Sequence, residues 1–405
     1  MAGLLPVADA IARIVEGVAP LPAEEVAVAA AAGRVLAAPL AARRSQPPFP
    51  ASAMDGYAVR ATDAGRAPAR LTLIGTAAAG KGFAGRVGPG QAVRIFTGAP
   101  VPDGADAILI QENATADGTA VVANEPVVRG RHIRPIGNDF AEGAALLPAG
   151  RTVGMREAAL AGAMGYGTLP VRRRPKVAII STGDELVPPG AVPGPDQIVA
   201  TNALAVALHV RSLGGEALDL GIVGDDLGAI AAAADAAAAA GADVVVTIGG
   251  ASVGDHDLVQ KALGARGMEL AFWRIAMRPG KPLMFGRLPP RLGGGRFIGL
   301  PGNPASAIVT TLVFLTPLVD ALLGRPPRDM TEPAVLGADV AANDGRQDYL
   351  RARLSGDDGL PVATVVGSQD SAMLTVLAAA DCLLIRPPNA PAAAKGSPCR
   401  IIRLP

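Results

Sequence analysis

The sequence predicts a multidomain α/β protein: a doubly wound, mostly parallel sheet domain joined to a discontinuous helical domain, a small β domain and a C-terminal β barrel. Three observations carry that reading. The segment from about Arg172 to Gly324 alternates apolar strand-like runs with helical patterns. The stretches on either side are short apolar runs punctuated by Gly and Pro. A chain of 405 residues is also too long for one compact core.

The elements follow in order. Residues 1–45 are read as the first part of a helical linker domain, with helical spacing at Ala8, Ile11, Ala12 and Val15, then a second Ala-rich stretch ending near Leu40. Pro47, Pro48 and Pro50 end that pattern, because each removes a backbone donor and enforces extended geometry. Residues 46–147 form the small β domain, with runs such as Leu71–Gly75 and Ala107–Ile110. Helical spacing returns at Val153–Met164, which makes residues 148–171 the second part of the helical domain.

Residues 172–328 make up the sheet domain. Strands are expected at Val177–Ile180, Leu218–Val223, Val244–Ile248, Leu270–Ile275 and Phe297–Leu300. Thr201 and Asn202 are expected to cap one helix, Asp225 and Asp226 to cap the alanine helix that follows, and further helices to follow Asp255 and Asn303. Residues 329–405 end on strand-like Cys382–Ile385 and Arg400–Leu404, which fits a small barrel.

Composition excludes several functions. A formal net charge of +1 argues against nucleic acid or an anionic membrane as a partner. The longest apolar segment, around Ile230–Ala240, is an alanine run broken by Asp235, read as a core helix and not a membrane span. Cys382 and Cys399 lack metal-ligand spacing and the three histidines are scattered, so a reducing, cytoplasmic setting is expected. With only 3% aromatic residues, the core must be built from Ala, Val, Leu and Ile.

Chemistry concentrates in loops that follow expected strands. Thr182-Gly183-Asp184-Glu185, Gly249-Gly250 through Ser252 and Gly254 to Asp255, and Pro301-Gly302-Asn303 each lead from a strand through a glycine turn toward a helix. In a parallel sheet such loops gather at the carboxyl edge, where backbone N–H groups and helix N-termini favour anions. Arg278-Pro279-Gly280-Lys281-Pro282 adds cations fixed between prolines. Together they describe a socket for a phosphorylated or oxyanionic ligand. Asp184, Glu185, Asp255 and Asp257 are the candidates for holding Mg²⁺ beside it, with helix capping the plain alternative for the last two. Asp55, in Met54-Asp55-Gly56, and Asp139, after Gly137-Asn138, are carboxylates in unusual company. The absence of Gly-x-x-x-x-Gly-Lys-Ser/Thr disfavours a P-loop nucleotidase.

Pro48-Phe49-Pro50, Ser52-Ala53-Met54-Asp55-Gly56-Tyr57, Thr97-Gly98-Ala99-Pro100, Ser181 to Leu186, Gly249-Gly250 with Ser252-Val253-Gly254, Pro279 to Pro282 and Leu300 to Pro304 occur in one order. That order, continuing to Gly367-Ser368-Gln369 and Ser371-Ala372-Met373, resembles the MoeA-type molybdopterin molybdenumtransferases and the gephyrin E domain. The resemblance implies a homodimer whose site is shared, the β domain of one chain supplying Asp55 and Thr97 to the sheet domain of the other. It implies molybdate insertion into adenylylated molybdopterin with release of AMP, dependent on Mg²⁺. The catalytic candidates are then Asp55, Thr97, Asp139 and Glu185, with Lys281 and Ser252 facing oxyanions. A molybdopterin adenylyltransferase and recipient molybdoenzymes become the candidate protein partners.

One departure stands out. Familiar members carry Asp-Ser/Thr-Asn-Arg where this chain reads Ala200-Thr201-Asn202-Ala203. Two alternatives stay open at this point: adenylylation of the pterin with ATP, which needs only the sheet domain, and a gephyrin-like scaffold.

Overall fold

The computed structural model describes residues 4–250, 258–356 and 359–405. Two compact units emerge, one from residues 1–24, 33–37 and 170–405, the other from 25–32 and 38–169. Helix α1 (Val7–Val15) belongs to the first, where Val7, Ala10 and Ile14 are buried against the sheet core. The Ala-rich stretch after it is not a helix, contrary to expectation. Val28–Ala30 forms a single 3₁₀ turn, Gly33 takes φ +75°, and the N–H of Ala37 donates to the Pro170 carbonyl while Val35 accepts from Arg172. Extended pairing takes up the backbone groups a helix would need, so tertiary context overrides alanine propensity.

The second unit holds a six-stranded sheet. Its strands are β1 (Gly56–Val59), β2 (Ala69–Ala77), β3 (Gln91–Ile95), β4 (Ala107–Ile110), β5 (Ala114–Asp117) and β6 (Ala120–Ala123), in the spatial order β4-β1-β3-β2-β6-β5. All neighbours are antiparallel except β2 and β3. Alternation along β1 and β4 puts Tyr57, Val59, Ala107 and Leu109 in one core and Ala58 and Ile108 in another. Helix α2 (Met155–Ala163) follows in the same unit.

The first unit is built on β7 (Lys176–Thr182), α3 (Asn202–Ser212), β8 (Glu216–Val223), α4 (Leu227–Ala239), β9 (Val244–Ile248), α5 (Leu258–Ala265), β10 (Glu269–Arg274), β11 (Met277–Arg278), β12 (Pro282–Arg287) and β13 (Arg296–Leu300). The sheet order is β8-β7-β9-β13-β12-β10, parallel from β8 to β13, with β12 antiparallel to both neighbours. Strand β12 is an element the sequence reading did not anticipate. Val177 and Ile179 face a core shared with α1 and α3, while Ala178 and Ile180 face α4 and α5, so the sheet is covered on both sides. Asp226 caps α4 by accepting from the Ala229 N–H at 2.8 Å. Asp225, expected to share that duty, does not. Thr201 stands at the N-cap of α3 without a side-chain capping bond, a second correction.

Helix α6 (Pro304–Leu322) is the one described helix long and apolar enough to cross a membrane, and 83% of its apolar window is buried within the protein. It supplies Val309, Phe314, Leu315 and Leu318 to the sheet core, as a central helix does. Strands β14 (Glu332–Leu336), β15 (Gln347–Ser355), β16 (Val362–Val365), β17 (Cys382–Arg386) and β18 (Pro398–Arg403) close into a barrel through the β15–β17 pairing. Cys382 is fully buried inside it. Strand β11 pairs in parallel with β15 at Arg278 and Asp348.

Candidate active site

Strands β7, β8, β9 and β13 all end at one edge of the sheet, and their loops wall a cavity of about 770 Å³. Strand β8 lies on one side of β7 and β9 on the other, which places the topological switch point at the cavity. Glycine is required here by sterics. Gly249 has φ +96°, and a Cβ there would lie 2.5 Å from the Thr182 carbonyl oxygen. At Gly280, φ is +107° and a Cβ would meet Thr310 Cγ2 at 2.4 Å. The two loops can therefore approach the sheet edge only without side chains.

Most of the anticipated socket comes together. Thr182, Gly183, Gly249, Gly250, Pro279, Gly280, Lys281, Pro282, Pro301, Gly302 and Asn303 all line the cavity, and so does Glu185. Ser252, Gly254, Asp255 and Asp257 lie outside the described residues. Asn202 ties α3 to the Pro301 loop by donating its side-chain amide to the Gly302 carbonyl at 2.7 Å. Asn303 in turn donates to Ser371 Oγ at 2.9 Å, and Ser371 accepts the Ala305 N–H through its carbonyl at 3.0 Å. The departing segment Ala200-Thr201-Asn202-Ala203 thus keeps a link to the site through Asn202.

The electrostatics have two sides. Arg278, Lys281 and Arg346 bring positive charge into the lining. Glu185 and Asp225 bring negative charge, and Asp184 stands next to both, its Oδ1 accepting the Asp225 N–H at 3.0 Å. Burial pushes the Asp225 carboxyl upward, and the charges of Asp184 and Glu185 add to that shift. A cation would relieve this crowding, and carboxylates completed by ligand phosphate are the donor set Mg²⁺ favours. Among the described residues, no group of three or more His, Cys, Asp or Glu is arranged to hold a metal alone. The donors present suit a shared site only.

Sequence reasoning missed Asp225 and Arg346. Asp225 was hidden by a plausible capping role beside Asp226. Arg346 comes from the approach to β15, and only the pairing of β11 with β15 brings it to the Lys281 loop. Gln369 and Ser371, motif residues of the last block, both line the cavity.

Asp55, Thr97 and Asp139 belong to the other unit. There Asp55 Oδ1 accepts from the Thr97 N–H at 2.7 Å and from its hydroxyl at 2.9 Å. These bonds lower the Asp55 carboxyl below its ordinary range, with Arg94 adding a smaller pull. Arg94 is itself held, its guanidinium 5.0 Å from the Tyr57 ring and donating to Gln111 Oε1 at 2.7 Å. Asp139 is exposed, and its backbone N–H donates to the Gln46 carbonyl at 2.9 Å.

A parallel-sheet edge carrying glycine loops, cations and clustered carboxylates marks an α/β protein whose cavity suits a phosphorylated or oxyanionic ligand. Three family descriptions match the chain in order: MoeA N-terminal region (domain I and II) over residues 5–165, a probable molybdopterin binding domain over 178–321, and MoeA C-terminal region (domain IV) over 333–404. The molybdopterin molybdenumtransferase 2 of Mycobacterium tuberculosis is 36% identical over 381 residues, covering 92% of each chain. The molybdopterin molybdenumtransferase of Nostoc is 35% identical over 385 residues, covering 93% of this chain and 87% of the relative. Two solved MoeA structures from Pyrococcus horikoshii, 31% and 26% identical, superpose with TM-scores of 0.85 and 0.78 and each covers 99% of this chain. The chain belongs to the MoeA family of molybdopterin molybdenumtransferases.

Proposed function

We propose that this protein is a molybdopterin molybdenumtransferase that inserts molybdate into adenylylated molybdopterin and releases AMP during molybdenum cofactor biosynthesis. The observation that carries the reading is the cavity itself, with Arg278, Lys281 and Arg346 facing it beside Glu185 and Asp225. The cations suit a tetrahedral dianion, since charge-assisted contacts to oxyanions are the strong ones. The glycine loops suit the phosphate chain of the pterin nucleotide. Asp184, Glu185 and Asp225 would hold Mg²⁺ together with that phosphate chain; when bound it would offset charge on the anhydride. Glu185 would orient the group that cleaves the anhydride.

The protein acts as a cytoplasmic homodimer whose chain divides into residues 1–45, 46–147, 148–171, 172–328 and 329–405. Asp55 and Thr97 of one chain serve the site of its partner, with Asp139 a further catalytic candidate; the reading is supported by the two Thr97 bonds that hold the Asp55 carboxylate. A molybdopterin adenylyltransferase would supply the substrate, and recipient molybdoenzymes would take the product. Incubating purified protein with adenylylated molybdopterin and molybdate should release AMP and yield metal-loaded pterin. Pyrophosphate formation from ATP and unmodified pterin, without molybdate-dependent AMP release, would make it an adenylyltransferase instead.

A further inference from the structure

Two of the three cations in the cavity wall come from distant parts of the chain, and one carboxylate holds both. Arg278 lies on β11, whereas Arg346 stands just before β15 of the barrel. Asp344 accepts from Arg278 Nη2 at 2.5 Å and from Arg346 Nη2 at 2.7 Å. Its Oδ1 also takes the Arg346 Nε at 3.2 Å and the Arg346 backbone N–H at 3.0 Å. The turn that carries it is fixed as well: the Asn389 N–H donates to the Asp344 carbonyl at 2.8 Å, and the Asn343 amide donates to the Arg346 carbonyl at 3.0 Å. On the other side of Arg278 lies Asp348, 4% exposed, with Oδ1 3.7 Å from Arg278 Nε.

Unassisted, two guanidinium groups in one wall repel each other and splay toward solvent. A carboxylate bonded to both cancels that repulsion and fixes the direction of each planar fork. Asp344 is itself half exposed, so burial does not explain its two arginine partners.

We propose that Asp344 is a positioning residue for the oxyanion subsite, holding Arg278 and Arg346 side by side so that both address the same tetrahedral dianion. This rests on the reading of the cavity as a molybdate-binding site. Charge and position make opposite demands here. A negative charge so close repels an oxyanion, so neutralising it should tighten binding if charge were all that mattered. If alignment matters more, neutralising it weakens binding.

The test is calorimetric titration of inorganic molybdate into the full-length protein and its Asp344→Asn, Asp344→Glu, Arg278→Ala and Asp344→Asn/Arg278→Ala variants, with thermal unfolding of each in parallel. Asp344→Asn is expected to weaken molybdate binding about tenfold. Asp344→Glu keeps the charge but shifts the carboxylate by one methylene, and should weaken binding by a smaller factor. The double variant should bind no more weakly than its weaker single parent, because the two changes disable one arrangement. Unchanged or tighter binding in Asp344→Asn, or unchanged binding in Asp344→Glu should the first variant fail to fold, overturns the proposal. Full additivity in the double variant does so too. If the unaltered protein binds no molybdate, the oxyanion reading fails first. If Lys281→Ala abolishes binding while Asp344→Asn leaves it intact, that reading stands and the role of Asp344 falls.

Discussion

Lys281 sits where the backbone leaves it little choice. Gly280 before it leaves no room for a Cβ beside Thr310, and Pro282 after it opens β12, so the backbone that carries Lys281 to the cavity wall is fixed. Lys281→Ala should therefore weaken molybdate or pterin-nucleotide affinity by roughly 1.5–3 kcal/mol, the size of a charge-assisted contact. Titration with each ligand checks this; unchanged affinity for both would remove Lys281 from the socket. Asp55 shows the same principle with opposite charge, its carboxylate held by both donors of Thr97 and kept ionised by them.

At the level of elements, helix α2 illustrates how a single side chain sets a boundary. Gly154 at its N-cap has no side chain to offer, so Glu157 reaches back to accept the Gly154 N–H at 3.0 Å and pairs with Arg151 at 2.5 Å. The Arg151 bond draws the Glu157 carboxyl down from 4.5 to about 2. A depressed carboxyl stabilises the fold fully above its ordinary value and loses that contribution as pH falls toward the folded one. Glu157→Gln should thus cost about 1 kcal/mol near neutral pH, kept modest because Arg151 is half exposed. The deficit should shrink between pH 4.5 and 2 as the native residue itself becomes protonated. Denaturant unfolding followed by circular dichroism at pH 7 and pH 3 reads the difference; an equal deficit at both would mean the charge is irrelevant.

For the whole molecule, the proposed reaction draws on residues from two different units of the chain. Asp55 and Lys281 belong to separate units, and the proposed shared site assigns them to different subunits of a dimer. Co-expression of an Asp55→Ala chain with a Lys281→Ala chain should then restore part of the AMP release that each variant lacks alone. In a mixed dimer one of the two sites would carry neither substitution. Heterodimers that form but stay inactive would place both residues in a site built within one chain.

How much of this could be read from the residues follows from the range of the forces involved. Continuous apolar runs such as Val177–Ile180 and Val244–Ile248 announce buried parallel strands, because both faces of such a strand are covered. Glycine turns after them announce loops that must pass close to one another, and Gly249 against Thr182 bears that out. That Thr182, Gly183, Gly249, Gly250, Lys281 and Gly302 gather at one edge was therefore legible from local pattern alone. Asp225 was not, because its neighbour Asp226 satisfies the capping signal and nothing in the sequence says which of the two turns toward the cavity. Strand β12 escaped notice because its partners are β13 and β10, and only pairing with them defines it. The alanine-rich stretch before Leu40 misled for the converse reason: its helix propensity is real but small, and pairing of residues 35–37 with 170–172 outweighs it. By itself the sequence determined the parallel sheet, the edge at which its glycine loops gather and the family. Only the tertiary structure decided that Arg346 and Asp344 join Arg278 there, because charges are placed by the strands that carry them, and β11 meets β15 only in the folded chain, across a long sequence separation.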